Sequence, residues 1–270
     1  MDVVEVLRDL GGVARTRELV RAGSSSSALT RAHEQGRVVR VARGVYALKG
    51  YDGDRLAALR AGTELACISA ARQRGLWVLR RPSLLHVAVD HGRAVEGSGL
   101  RIHRAALPIP TLTVCLQCAR CLPELDALCI IESAVVLGLV HLADLRAQAE
   151  RTRSGSLRNI LGLLDPHAES ILETLARYHL LRAGFHVASQ VHVPGVGRID
   201  LFVDGALGIE ADGRQYHSGR REFEEDRRRW NLLTTRGVPV LRVTRQLLVE
   251  DPGQFILLVR AALAAKGRRP

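Results

Sequence analysis

Three carboxylates stand close together in the last third of the chain. Asp200 lies in the apolar run Arg198-Ile199-Asp200-Leu201-Phe202-Val203, and Glu210 and Asp212 lie in Ala206-Leu207-Gly208-Ile209-Glu210-Ala211-Asp212. The two runs read as strands of a hairpin about Asp204-Gly205. Side chains alternate faces along a strand, so loop parity decides whether the acids meet. A two-residue Asp204-Gly205 turn sets Asp200 opposite Ile209 and sends Glu210 to the other face. A three-residue loop with Gly205 in the left-handed position gathers Asp200, Glu210 and Asp212 on one surface, and this is the expectation. Carboxylates so close repel unless a cation neutralises them. Oxygen ligands with open water positions suit Mg²⁺. Such an ion lowers the pKa of a bound water and stabilises charge on a phosphodiester oxygen. His217 follows Asp212-Gly213 closely, and an imidazole near neutral pKa can exchange a proton with water or leaving group. The chemistry suggested is metal-dependent phosphodiester hydrolysis. Asp200 and Glu210 would ligate the ion, and Asp212 would hold or orient the attacking water.

Elements that position these groups can be read around them. A helix from Ala168 to Ala183, ended by Gly184, precedes a short strand at Val191–Val193 and then the hairpin. A charged helix from Glu222 to Arg236, a buried strand from Val238 to Thr244 and a last helix from Pro252 to Ala265 follow. Glu173, three residues after Ser170, is either half of a capping box or an outer ligand of the ion. Phe223, Asp226, Trp230 and Leu233 form a buried helical stripe. An acid on that stripe needs a partner, for which Arg229 and the catalytic face are the candidates, and a purely structural role for Asp226 is the alternative.

Taken in order, Asp200, then Glu210-Ala211-Asp212-Gly213-Arg214-Gln215-Tyr216-His217, then Phe223-x-x-Asp226-x-x-Arg229, then Leu233 … Gly237-x-x-Val240-Leu241-Arg242-x-Thr244, resemble the very short patch repair (Vsr)-like endonucleases. These belong to the PD-(D/E)XK nuclease superfamily, and the match is to an uncharacterised bacterial branch. The resemblance spans about residues 168–260. It implies a restriction-endonuclease-like α/β domain with a mixed central sheet. Asp200, Glu210 and Glu173 would then be metal ligands, and His217 the active-site histidine. Asp212 stands where the superfamily carries its catalytic Lys.

At the other end, Val3, Val4, Val6, Leu7 and Leu10 pattern a first helix stopped by Gly11-Gly12. A second helix runs from Arg17 to Ala22, and a third from about Ala28 to Gln35 behind the cap Ser24–Ser27. Two β-rich runs around Arg43-Gly44 then read as a hairpin. Three short helices and a basic hairpin describe a winged helix-turn-helix. Its third helix would enter a major groove with Ser26, Ser27, Thr30 and Arg31, and Arg37, Arg40 and Arg43 would meet phosphates or a minor groove. Leu7 to Leu48, ending on Gly44-Val45-Tyr46, resembles the winged helix of AbiEi-type antitoxins of type IV toxin–antitoxin systems. Residues 51–150 resemble the segment that follows it there. That resemblance implies transcriptional autoregulation and a cognate nucleotidyltransferase toxin as partner.

Composition agrees with a polyanionic partner. The 270 residues carry a net charge of +11. Residues 1–50 contribute +4, 51–150 only +1, and 151–270 +6, so nucleic-acid contacts are expected at the two ends. The most apolar stretch, Ala127 to Leu145, is broken by Glu132 and His141 and reads as a buried helix, not a membrane span. No secretory signal opens the chain. The free cysteines suit a reducing cytoplasm. Cys115, Cys118 and Cys121 repeat every three residues on one helical face. No second pair follows at a typical ligand spacing, so no zinc is expected. The middle region, with helix-period segments at Leu56–Ala71 and Leu122–Leu145 and strands at 84–89 and 100–103, carries no recognisable chemistry. His86 and His103 there are expected to be structural.

The expected architecture is therefore α+β / α/β. A winged helix-turn-helix occupies residues 1–50, an α+β connector 51–150, a linker 151–167 and a PD-(D/E)XK nuclease-like domain 168–270. The expected function is cytoplasmic, Mg²⁺-dependent hydrolysis of double-stranded DNA. The alternative is a regulator or antitoxin whose nuclease fold is catalytically silent.

Overall fold

The computed structural model describes residues 2–51, 53–92, 95, 97–195, 197–211, 228, 231–233 and 235–267. The chain divides into two compact units, residues 1–117 and 118–270.

The first unit opens with α1 (Val3–Asp9), β1 (Val13–Arg15), α2 (Thr16–Arg21), α3 (Ser26–Glu34), β2 (Val38–Ala42) and β3 (Val45–Leu48). The strands form an antiparallel sheet in the order β1-β3-β2. This is the element order of a winged helix-turn-helix. Asp2 caps α1 by accepting from Val4 N at 3.0 Å, and Ser25 caps α3 by accepting from Ala28 N at 3.2 Å. Val3, Val6, Leu7, Leu19, Leu29 and Val38 make its core. Gly44, at φ 70°, turns β2 into β3, as Arg43-Gly44 led us to expect. Strand β1 was not legible in the sequence because three residues are too few for a period.

The expected helix at 56–71 is instead broken. α4 (Asp54–Arg60) packs Leu56 and Leu59 on the winged sheet, against Val13, Val45 and Ala47. Gly62, at φ 69°, ends it, and β4 (Glu64–Leu65) and α5 (Cys67–Gln73) follow. β5 (Leu85–Val89) pairs antiparallel with β4 and parallel with β6 (Leu100–Arg104). Helix α6 (Thr111–Cys121) comes next, and the boundary between the units falls inside it.

In the second unit, Gly138, at φ 68°, separates α7 (Glu124–Val136) from α8 (Leu142–Thr152), where one helical segment was expected. The segment 151–167 carries α9 (Gly155–Leu163), capped by Ser154. Then come α10 (Ile171–Arg182), β7 (Val187–Val193), β8 (Gly197–Val203), β9 (Leu207–Ala211), β10 (Val240–Val243), α11 (Arg245–Glu250) and α12 (Pro252–Gly267). The sheet order is β10-β9-β8-β7, antiparallel except for the β9–β10 pair, so the sheet is mixed. Its core is built from Ile199, Leu201, Val203, Leu207 and Ile209, with Leu175, Leu180, Phe255 and Val259 from α10 and α12. Gly208 is required where strands crowd. A Cβ there would sit 3.0 Å from Val240 Cγ2 and 3.2 Å from Ile199 Cγ2.

A charged network lies inside this unit. Glu132 of α7, wholly buried, accepts from Thr174 Oγ1 at 2.6 Å, from Asp165 N at 2.7 Å and from the guanidinium of Arg177. Thr174 and Arg177 sit on α10, so the network fixes α7 against the helix that carries Glu173. Among the described residues, no helix is long and apolar enough to cross a membrane.

Candidate functional site

The β8–β9 register answers the parity question. Leu201 pairs with Ile209, Phe202 with Gly208 and Val203 with Leu207. The loop is therefore the three residues Asp204, Gly205 and Ala206, with Asp204 at φ 48° and Gly205 at φ 62°. Asp204 adopts that backbone while its Oδ1 accepts from His186 N at 2.9 Å. One step further along the register, Asp200 falls opposite Glu210, on the face away from Leu201 and Ile209. Ala211 N donates to Asp200 Oδ2 at 3.0 Å, which holds that carboxylate across the hairpin. Glu210 is buried to 8% exposure.

Glu173 joins them from α10. Its hydrogen bonds to Ser170 are those of a helix cap. Ser170 Oγ accepts from Glu173 N at 3.3 Å and donates to Glu173 Oε1 at 2.9 Å, which caps the helix. Glu169 N and Gln190 Nε2 donate to its Oε2 at 3.0 and 2.8 Å. Burial pushes the Glu173 carboxyl above the usual carboxylate range, against those hydrogen bonds, and the negative charge of Asp200 pushes the same way.

Two neighbours carried no role in the sequence reading. Gln190 sits in β7 between Ser189, paired with Leu201, and Val191, paired with Ile199, and so at the level of Asp200. Its φ of 54° interrupts the strand. That interruption hid β7 as far back as Val187, because it breaks the alternation that marks a strand. Arg242 on β10 pairs with Glu210 in the parallel register, so Asp200 and Arg242 flank Glu210. Asp212, His217, Asp226 and Arg229, and most of the expected helix from 222 to 236, lie outside the described residues.

In the first unit, Ser26, Ser27, Thr30 and Arg31 share the exposed side of α3, with Leu29 and Ala32 facing the core. Arg40 and Arg43 are exposed on β2 and its turn. Arg37 is engaged. Its NH1 lies 3.1 Å from Asp2 Oδ1 and its Nε donates to Gln35 Oε1 at 3.1 Å.

Cys115, Cys118 and Cys129 are buried and pack as small hydrophobes. Burial pushes the Cys115 thiol up to about 12 and the Cys129 thiol higher still. The connector is not empty of chemistry, however. It brings Cys67, His86 and His103 together.

Residues 1–49 match the family described as "Transcriptional regulator, AbiEi antitoxin", and residues 173–263 match the restriction-endonuclease family REase_MTES_1575. The chain joins an AbiEi antitoxin-type DNA-binding domain to a restriction-endonuclease-like domain. The endonuclease-like match begins at Glu173 and takes in Asp200, Gln190, Glu210 and Arg242. No curated protein matches the chain. Among solved structures, the RV2827C protein from Mycobacterium tuberculosis aligns over 67% of this chain and 74% of its own, at 15% identity and a TM-score of 0.26, too low to carry an argument.

Proposed function

We propose that this chain is a DNA-binding protein whose endonuclease-like domain hydrolyses phosphodiester bonds in DNA with a divalent ion, Mg²⁺ in the cytoplasm. The observation that carries this reading is the β8–β9 register, which sets Asp200 opposite Glu210 with Glu173 on the adjoining helix. The donor set fits the ion. It is all carboxylate oxygen, which Mg²⁺ and Mn²⁺ prefer, and the acids accumulate negative charge that Arg242 only partly offsets. Asp200, Glu210 and Glu173 would hold the ion, which supplies Lewis acidity at the phosphate and an acidified water.

The other residues act around it. Ala211 N fixes the Asp200 carboxylate, and Gln190 with Ser170 fixes that of Glu173. The Arg242 guanidinium would stabilise charge on the phosphate. Proton exchange with water or leaving group falls to His217, with Asp212 orienting the water, as in the Vsr-like nucleases the sequence resembles. The first unit delivers DNA, with α3 in the major groove and Arg40 and Arg43 on phosphates.

A second reading is supported by the AbiEi-type match at residues 1–49 and by Asp212 standing in the place of the superfamily Lys. In it the chain is an autoregulating antitoxin with a nucleotidyltransferase toxin as partner, and its nuclease fold is silent. Cleavage of supercoiled, linear and single-stranded DNA with Mg²⁺ or Mn²⁺ separates the two. Wild type should cut and Glu210→Ala should not. Absence of cutting on every substrate would favour the antitoxin reading, and equal cutting by both proteins would overturn the site assignment.

A further inference from the structure

The Sγ of Cys67 and ring nitrogens of His86 and His103 lie within 4.8 Å of one another. The fold builds this meeting from three separate elements. Parallel pairing sets Ala88 opposite His103, and His86, two residues before Ala88, shares its face. The result is His86 Nδ1 at 3.1 Å from His103 Nε2, with the rings stacked at 5.2 Å between centroids. Cys67 begins α5 and is held beside His86 by two bonds, Ala66 N to His86 O at 2.9 Å and His86 N to Ser69 Oγ at 3.0 Å. Its φ of 46° is a conformation rarely adopted by a residue with a side chain. Gln117 of α6 accepts from Cys67 N at 2.8 Å.

We propose that Cys67, His86 and His103 bind a zinc ion. Tetrahedral zinc, with bonds of about 2.0–2.3 Å, spaces its ligand atoms by roughly 3.3–3.8 Å. Three donors inside 4.8 Å, two of them at 3.1 Å, are close to that spacing with no rearrangement of the backbone. The Cys67 thiolate offsets part of the ion's charge, which lowers the cost of burying it. Nitrogen and sulfur donors select zinc over Mg²⁺. Ligands from three elements let the ion tie α5, β5 and β6 together, and water would complete its tetrahedron. Its donors differ in chemistry from those of the carboxylate site. Sequence spacing concealed it because the ligands come from one helix and two parallel strands.

The test is metal content of the full-length protein, purified without a histidine tag and analysed by inductively coupled plasma mass spectrometry. Wild type should carry one zinc per chain. Cys67→Ser and His103→Ala should each lower retention at least about tenfold. Cys115→Ser and Glu210→Ala should keep the ion. If ligand variants fail to fold, chelator-stripped wild type titrated with Co²⁺ gives a second readout. It should develop a thiolate-to-cobalt charge-transfer band and the intense visible bands of a tetrahedral site. A zinc-free wild type with no such bands would overturn the proposal. So would zinc that survives Cys67→Ser with His103→Ala, or zinc that is lost with Glu210→Ala.

Discussion

Replacing Glu132 by Ala should cost the second unit about 4 kcal/mol. Glu132 is 0% exposed and Arg177 4% exposed, so their pair is out of water. Burial pushes the Glu132 carboxyl up, and the Arg177 charge pulls it back. Removing one partner of such a pair costs about 3–5 kcal/mol, because the other charge is left buried. Among the described residues, Arg177 would retain Leu163 O at 3.3 Å and Asp165 Oδ2 at 3.9 Å. Thr174 Oγ1 would fall back on Ser170 O at 3.3 Å, and Asp165 N would lose its acceptor at 2.7 Å. At about 2–4 °C per kcal/mol for a unit of this size, Tm should fall by roughly 8–16 °C. Calorimetry or circular dichroism on Glu132→Ala and on the double variant Glu132→Leu/Arg177→Met reads this out. The double variant buries no charge and should recover most of the loss. A single-variant loss under about 1 kcal/mol, or a double variant as unstable as the two singles summed, would refute the reasoning.

Two further predictions concern charge. Arg40→Ala and Arg43→Ala should each weaken duplex binding and flatten its salt dependence by about 0.9 in log–log slope, while Arg37→Ala should do less because Arg37 already holds Asp2; a fluorescence-anisotropy titration over a salt series with unchanged slopes would contradict this. Burial raises the Cys115 thiol from 9.0 to about 12, so its protonated form stabilises the fold fully below pH 9.0, and that contribution is lost as pH rises towards 12. Urea unfolding across this alkaline window should show a steeper loss for wild type than for Cys115→Ala.

The hairpin was legible because three cues agreed: alternating apolar residues, Asp204-Gly205, and acids whose separation demands an odd loop. The winged unit was legible for a similar reason, with Gly11-Gly12, Gly23 and Gly36 marking helix ends. Long apolar segments misled, because 56–71 and 122–145 keep a helical period across Gly62 and Gly138, the left-handed glycines at which the chain leaves the helix, and the first segment also holds the short strand β4. β7 was seen only at its end because Gln190 breaks its pattern. Arg242 beside Glu210 is a fact of parallel register, and the meeting of Cys67 with His86 and His103 is a fact of tertiary packing. Spacing along the chain encodes neither.

The central claim is that the Asp200–Glu210 pair holds a catalytic divalent ion. Calorimetric titration of Mn²⁺ into zinc-loaded full-length protein tests it most directly, with wild type measured beside Glu210→Ala. The account predicts one site per chain in wild type and none in Glu210→Ala, since Asp200 alone cannot fix the ion's geometry. No binding to wild type, or identical binding to both proteins, would contradict it.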